Sequence, residues 1–322
     1  MSSAPCPSGR GTDFLSVVLC TRNRADLLEV ALRSIVEQSF PRDRYEILLV
    51  DNASSDATPD VARRFAAEVD LRYIREERIG LCIARNTGWQ AARGVIIAYF
   101  DDDAVARPGW LAAIADAFAR HDGTEIGIVG GPVSPLWQAP RPSWLPDSIA
   151  SSLTIVDWGS EEKILANIDR EWLVGANMAL PRHVLEETGG FHPWLDRVGE
   201  NLLSSGDVFL QKEAMRRGYA CLYVPQMAIE HVVPPSRLGQ DWFLKRFYWQ
   251  GISDAVMHLI EHSPSPRQRI RAAWGRMRHL MRNRHRLRAL MAAAPGPEGF
   301  ALKCFAWLDI GFILGILGAA RR

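Results

Sequence analysis

Short apolar runs alternate with segments of helical periodicity through the first third of the chain. Phe14 to Cys20 (FLSVVLC) is apolar apart from one serine, the pattern of a strand buried on both faces. From Ala25 to Ser39 the apolar side chains recur at Leu27, Leu28, Ala31, Leu32, Ile35 and Val36, which lie along one face of a helix. Tyr45 to Val50 predicts a second strand and Thr58 to Glu68 a second helix. Leu71 to Arg75, Leu81 to Ala92 and Val95 to Phe100 predict strand, helix and strand in turn. Pro108 opens a further helix, because its missing N–H is one that a helix start leaves without a partner. Repeated strand–helix–strand units with short apolar strands predict an α/β fold, a mostly parallel sheet with helices on both faces.

The middle of the chain has a different character. Gly130 to Asp147 (GGPVSPLWQAPRPSWLPD) is rich in Pro and Trp and reads as a long ordered loop, since proline neither continues a helix nor donates to a central strand ladder. Trp172 to Leu180 and Tyr219 to Val224 predict further strands, and Gly206 to Arg217 a helix. The tryptophans around the loop, Trp137, Trp144 and Trp158, are assigned no role beyond packing.

Polar residues gather where the predicted strands end. In an open α/β sheet, ligands bind beyond the carboxyl ends of the strands. Strand one ends in Thr21-Arg22-Asn23-Arg24, strand two in Asp51-Asn52-Ala53-Ser54-Ser55-Asp56 and the fourth in Asp101-Asp102-Asp103, so these three turns would share one edge. Three adjacent acids repel one another unless a cation is present, and oxygen ligands of this kind suit Mg²⁺ or Mn²⁺. A solvated acidic turn is the alternative. Asp51, ending LLVD, is placed to hold a ribose hydroxyl or a base N–H, or to cap a helix; Asp56, just before Ala57-Thr58-Pro59, suits the cap better. No G-x-G-x-x-G follows strand one and no P-loop motif occurs, which argues against the common dinucleotide and NTPase classes.

Composition adds little until charge is placed along the chain. The 322 residues are 48% hydrophobic and 23% charged with a net charge of +1, enough to bury a sizeable core. Nine of the arginines fall between Arg267 and Arg288 with no acid among them, so the remainder carries 1 − 9 = −8. That basic stretch is interleaved with Ile270, Trp274, Met277, Leu280, Met281 and Leu287. Ala301 to Ala320 is largely apolar but interrupted by Lys303 and Asp309, a marginal span; peripheral membrane contact is the expectation. A basic helical hairpin packed on the domain and a nucleic-acid tail are the alternatives, and no nucleic-acid module is present. The five cysteines (Cys6, Cys20, Cys82, Cys221, Cys304) are scattered without C-x-x-C spacing, which predicts buried free thiols rather than disulfides or zinc. With no apolar stretch after a basic start, no signal peptide is expected, and a cytoplasmic location follows.

Four ordered motifs carry a resemblance. SVVLCTRNRADLLEVALRSIVEQSF, EILLVDNASSDAT, GLCIARNTGWQAARGVIIAYFDDDA and the run from GGF through LLSSGDVFLQKEAMRRGYACLYVP to IEHVVPP resemble family 2 inverting glycosyltransferases of the glycosyltransferase A fold, over about Phe14 to Ile260. The resemblance implies a Rossmann-like nucleotide-diphospho-sugar transferase fold with a C-terminal helical tail. It implies a nucleotide-diphospho-sugar donor, with UDP-sugars favoured, and a glycan or lipid-linked acceptor at the inner face of the cell membrane. Thr21 and Arg24 would flank the donor nucleotide, Asp51 would bind its base or ribose, and Arg85 and Asn86 would sit beside it. Asp101, Asp102 and Asp103 hold the family's D-x-D, with Asp101 and Asp103 its two acids and Asp103 the metal contact; His231 matches a position that approaches metal or diphosphate. Asp207 matches the catalytic base, the second acid of a Glu-Asp pair, whose first position is Gly206 here; a helix cap is its alternative role. Arg237 and Trp249-Gln250-Gly251 match a pattern that could close over the diphosphate.

The expected organisation is a flexible N-terminus over residues 1–12, a catalytic domain over 13–262 with donor half 13–130 and acceptor half 131–262, and a basic and apolar helical tail over 263–322. A sugar-nucleotide-forming nucleotidyltransferase is the nearest rival, but TRNRAD lacks the glycines of its phosphate loop. A non-catalytic sugar-binding homologue is favoured only by Gly206.

Overall fold

The apolar runs become the centre of an eight-stranded sheet. In chain order the strands are β1 (Leu15–Thr21), β2 (Tyr45–Asp51), β3 (Leu71–Arg75), β4 (Ile96–Asp101), β5 (Ala104–Ala106), β6 (Ile126–Gly130), β7 (Val133–Trp137), β8 (Lys163–Ile164), β9 (Asn177–Pro181), β10 (Ala220–Tyr223) and β11 (Ile229–Val233). The computed structural model describes residues 14–121, 125–195, 197, 201–292 and 296–318. The predicted flexible segment 1–12, Cys6 and the last two residues of the Ala301 to Ala320 stretch lie outside the described residues.

The main sheet runs β3-β2-β1-β4-β9-β6-β10-β8. β1 to β4 are mutually parallel where they pair, as are β6 and β10, while β9 enters antiparallel to both β4 and β6. Helices cover both faces, which is why the strands read as continuous apolar runs. Leu15, Val17 and Leu19 of β1 point into one core with α1 (Ala25–Val36), α2 (Thr58–Ala66) and α4 (Trp110–Arg120). Val18 and Cys20 point into the other with α3 (Leu81–Ala91), α5 (Arg182–Thr188) and α6 (Gly206–Arg216). Asp56 fixes the entry to two helices at once: it accepts from the N–H of Ala25 at 2.9 Å and from that of Thr58 at 3.1 Å.

Two expectations need correction. The Gly130 to Asp147 segment is not loop throughout: Val133–Trp137 is β7, which pairs with β11 in a separate three-stranded sheet ordered β5-β11-β7. Pro135 is tolerated there because β7 is an edge strand, with one side outside any ladder. The strand expected over Trp172 to Leu180 begins only at Asn177. The preceding turn carries Gly175 toward the site, with Trp172 packed against Trp158 at 5.3 Å between ring centroids.

After β11 the chain is helical: α7 (Gln240–His262), α8 (Pro266–Arg282), α9 (Arg284–Met291) and α10 (Pro297–Ile316). α10 lies along α7 with their backbones touching. A Cβ on Gly251 would fall 2.0 Å from the Leu308 carbonyl oxygen, and one on Gly311 would fall 2.0 Å from that of Tyr248. Trp144, from the Pro/Trp-rich segment, packs edge-on against Phe243 and Phe300 at 5.3 and 5.0 Å, in the core between α7 and α10. Cys20, Cys82, Cys221 and Cys304 are buried and in no disulfide.

Candidate active site

The parallel register lines up the polar ends of the strands. Thr21 lies opposite Asp51, Asp51 opposite Arg75, and Cys20 opposite Asp101. Asp51 is wholly buried. Its carboxylate accepts from the backbone N–H of Ser54 at 2.8 Å, the Tyr73 hydroxyl at 2.5 Å and Arg75 at 3.4 Å. Asn52 then organises the loop after β3, donating to the carbonyls of Glu76 and Arg78 and accepting from the N–H of Gly80.

The three consecutive aspartates at the end of β4 face different partners. Asp101 is ion-paired with Arg85 of α3 at 2.9 Å. Asp102 turns back toward β1, accepting from the Thr21 hydroxyl at 2.7 Å and pairing with Arg24 at 2.9 Å. Burial, with Asp103 and Asp101 nearby, pushes its carboxyl up to about 6 against the opposing pull of Arg24 and Thr21. Asp103 meets His231 Nε2 at 3.1 Å, Arg24 at 3.1 Å and Arg237 at 3.4 Å. Burial alone would raise it too, but these three cations or donors outweigh burial and hold Asp103 well below the usual carboxylate range.

His231 reaches Asp103 through the small sheet. β5 follows Asp103 directly and pairs antiparallel with β11, setting His231 opposite Ala104, while the N–H of Val232 donates to the Asp103 carbonyl at 2.8 Å. Asp101, Asp103 and His231 then offer ligand atoms that all lie within 4.8 Å of one another. Two carboxylates and an imidazole are a donor set that divalent Mn²⁺ or Mg²⁺ accepts. The His231 nitrogen that faces the aspartates is Nε2, 3.1 Å from Asp103, while its buried Nδ1 has no hydrogen-bond partner. On these observations the residues present fit a divalent cation.

Asp207 is brought to the same region from the other half of the sheet. It lies in the first turn of α6, where a negative side chain meets unpaired N–H groups. One oxygen accepts from its neighbour Val208 N–H and the other from Gly175 N–H, both at 2.9 Å. Gly175 also touches Arg85: a Cβ there would sit 2.5 Å from a guanidinium nitrogen. Burial would lower the Arg85 pKa, yet the carboxylates of Asp101 and Asp207 together raise it. One buried arginine therefore electrostatically links the acidic motif to Asp207.

The turn before Asp207 is held from α7. Ser205 adopts a left-handed φ of 73°, a conformation that a non-glycine residue keeps only when its surroundings enforce it. Gln250 donates to the Ser205 hydroxyl at 2.9 Å and accepts from that of Ser204 at 3.0 Å, and the Ser204 N–H donates to Ser253 at 3.0 Å. Of the Trp249-Gln250-Gly251 run, Gln250 thus supports the Asp207 turn, and Gly251 is the close contact of α7 with α10. Gly206, where the resemblance expects an acid, packs against Cys82; a Cβ would lie 3.1 Å from its sulfur, so a longer side chain requires that sulfur to yield.

Asn86 is turned toward the protein interior. Its amide donates to the Phe191 carbonyl at 2.7 Å and accepts from the Phe191 N–H at 2.9 Å, pinning the Gly189-Gly190-Phe191 turn. Arg246 of α7 is absent from the residues singled out in the sequence. One of its guanidinium nitrogens is buried without a partner, and burial, reinforced by Arg197 and opposed by Asp207 and Asp254, pushes the group down to about 10. Nothing in the local pattern of α7 marks Arg246, because its role depends on where the helix crosses the site.

Residues 16–187, more than half of the chain, match Glycosyl transferase family 2. Among curated proteins, Glycosyltransferase AglE of Haloferax volcanii is 27% identical over 268 residues, covering 79% of this chain and 82% of the relative. The Glucosyl-dolichyl phosphate glucuronosyltransferase of the same organism is 25% identical over 250 residues, 76% and 78% of the two chains. A mannosyltransferase from Pyrobaculum calidifontis, PcManGT, solved with GDP-Man and Mn²⁺, superposes with a TM-score of 0.53 at 23% identity, covering 99% of this chain and 77% of that one, a likeness of fold. With the sheet-end turns, the aspartate run and the sequence match in agreement, the chain belongs to glycosyl transferase family 2.

Proposed function

We propose that this enzyme transfers a sugar, with inversion, from a nucleotide-diphospho-sugar to a hydroxyl of a lipid-linked acceptor at the cytoplasmic face of a membrane. What carries this reading is the convergence of Asp101, Asp103 and His231 at the end of β4, with Asp207 linked to the same cluster through Arg85 and Gly175. Thr21, Arg24 and Asp51, on the adjoining strand ends, line the nucleoside side, with Tyr73 and Arg75 sharing the Asp51 carboxylate.

Asp207 takes the proton of the acceptor hydroxyl. The acceptor oxygen forms its bond to the anomeric carbon as the bond to the diphosphate oxygen breaks, and the leaving nucleoside diphosphate departs with the electron pair. Arg24, Arg85 and Arg237, grouped around the aspartates, hold positive charge where the diphosphate develops its own. Asp101, Asp103 and His231 would hold a divalent cation, which would supply Lewis-acid neutralisation of the diphosphate's charge. Lipid linkage is supported by the name of one curated relative, a glucosyl-dolichyl phosphate glucuronosyltransferase.

Calorimetric titration with UDP, GDP and dTDP, each with Mn²⁺, with Mg²⁺ and with EDTA, tests the donor half; UDP is the expected preference. Binding should depend on the cation and be lost in Asp103→Ala with the melting temperature of the fold retained. Nucleotide affinity that is equal in EDTA and in Mn²⁺ refutes the metal assignment.

A further inference from the structure

The arginines of the tail fall into two sets. Arg276 and Arg286 are ion-paired at 2.6 and 2.5 Å with Asp309, which α10 carries fully buried. The other seven between Arg267 and Arg288 (nine less two) make no ion pair among the described residues, and the sequence holds no acid between Glu261 and Glu298. They form a surface whose positive charge the protein does not answer.

That surface is also apolar. On α8, Ile270, Trp274 and Met281 fall within about 40° of one another at the helical period, and they are 61, 58 and 48% exposed. Ala273 and Leu280 mark the side turned to the protein. Arg267, Arg271, Arg278 and Arg282, all exposed, follow on the strip beside the apolar one. α9 continues the pattern with Leu287 and Met291, four residues apart and exposed.

α10 has the opposite character. It is the one helix among the described residues long and apolar enough to cross a membrane, but half of that window is buried in the protein. Its glycines touch the α7 backbone, and its Asp309 is sealed by two arginines of α8 and α9. Moving it into lipid would carry a buried carboxylate away from its partners, which the apolar interior of a bilayer strongly disfavours.

We propose that the outer face of α8, extended by α9, docks on an anionic lipid surface, with Ile270, Trp274 and Met281 in the headgroup layer and the flanking arginines on lipid phosphates, while α10 stays in the protein. The inference deepens the membrane part of the proposed function and does not depend on its chemistry. Charge selects the occupant. A second copy of this chain would set arginine against arginine on the same face, and a nucleic acid backbone would leave the isoleucine, methionines and leucine in water. A bilayer satisfies both halves of the face, and stable attachment needs two such signals together.

Co-sedimentation of the full-length protein with phosphatidylcholine vesicles, with and without phosphatidylglycerol, tests this at low and high salt. The protein should partition to the anionic vesicles and be only partly released by salt. Ile270→Glu with Trp274→Glu should lower partitioning about tenfold or more, as should Arg267→Glu with Arg271→Glu and Arg278→Glu. Ile164→Glu, equally exposed on β8, should leave it unchanged. All variants should keep the parental melting temperature and nucleotide affinity, which separates this face from the catalytic reading. Failure of the parent to bind anionic vesicles, equal binding by the Ile270/Trp274 variant, or retention of duplex DNA without vesicle binding each overturns the proposal.

Discussion

Replacing Asp207 with asparagine separates two roles of one carboxylate. In the folded protein one oxygen takes the N–H of Val208 and the other that of Gly175. Asparagine offers a single carbonyl oxygen, so one of these bonds is lost and an amide NH₂ is turned against an N–H. A hydrogen bond to a charged acceptor contributes about 1.5–3 kcal/mol, and the half-exposed position places this one at the low end. Loss of the negative charge in the first turn of α6 removes a further 0.3–1 kcal/mol or thereabouts. The expected destabilisation is about 2 kcal/mol, a fall in Tm of roughly 3 °C for a chain of 322 residues, and the variant stays folded at assay temperature. Turnover carries the discriminating signal. A base that takes the acceptor proton is worth about 10²–10⁴-fold, so kcat should fall by at least about 10²-fold with donor affinity nearly unchanged. Differential scanning fluorimetry gives the first quantity, and initial rates at saturating donor and acceptor give the second. If Tm falls as expected and the rate stays within about threefold of the parent, Asp207 only stabilises a helix start and the mechanism is wrong.

Three further perturbations probe the structure around the site. Gly175→Ala places a Cβ against the Arg85 guanidinium, which must leave Asp101 or Asp207; kcat/KM should fall about 10–10²-fold with little change in Tm, measured by initial rates. Gly311→Leu drives a side chain into the Tyr248 carbonyl and parts α7 from α10; it should cost about 3 kcal/mol or more in chemical denaturation, and a melting curve like the parent's would show that the helices are not in backbone contact. Glu76 is held down to about 2, chiefly by its hydrogen bonds from Arg78, with Thr87 assisting against partial burial. A carboxylate whose folded pKa is depressed stabilises the fold above its unfolded pKa and loses that contribution as pH falls toward the folded value. The Tm difference between the parent and Glu76→Gln should therefore be largest near neutrality and shrink as pH falls from about 4.5 toward 2; a difference independent of pH refutes the assignment.

Much of the fold from β1 to β4 was legible because its signals are local. A strand covered on both faces must be apolar at every position, and FLSVVLC and VIIAYF say so without reference to any neighbour. Parallel strands end on one edge, so the turns after β1, β2 and β4 had to lie near one another wherever the rest of the chain went. β7 was hidden because its proline argues against a ladder in general and is excused only at an edge, and whether a strand lies at an edge is a property of the whole sheet.

The periodicities, the class of fold and the polar turns at the strand ends each follow from the chemistry of neighbouring residues and can be read along the chain. Which distant groups meet depends instead on how the packed elements cross. β5 pairing with β11 brings His231 to Asp103, and Gln250 of α7 holds the Ser204-Ser205 turn ahead of Asp207. Arg246 leaves a buried nitrogen without a partner where α7 crosses the site. The tail shows the division most sharply. Its basic and apolar stretches are plain in the sequence, but the sealing of Asp309 by Arg276 and Arg286, which ties α10 to α8 and α9 while the apolar strip of α8 faces outward, is a balance of burial and charge pairing. That balance exists only once the helices have packed, since a charge is affordable inside a protein only where its partner already stands.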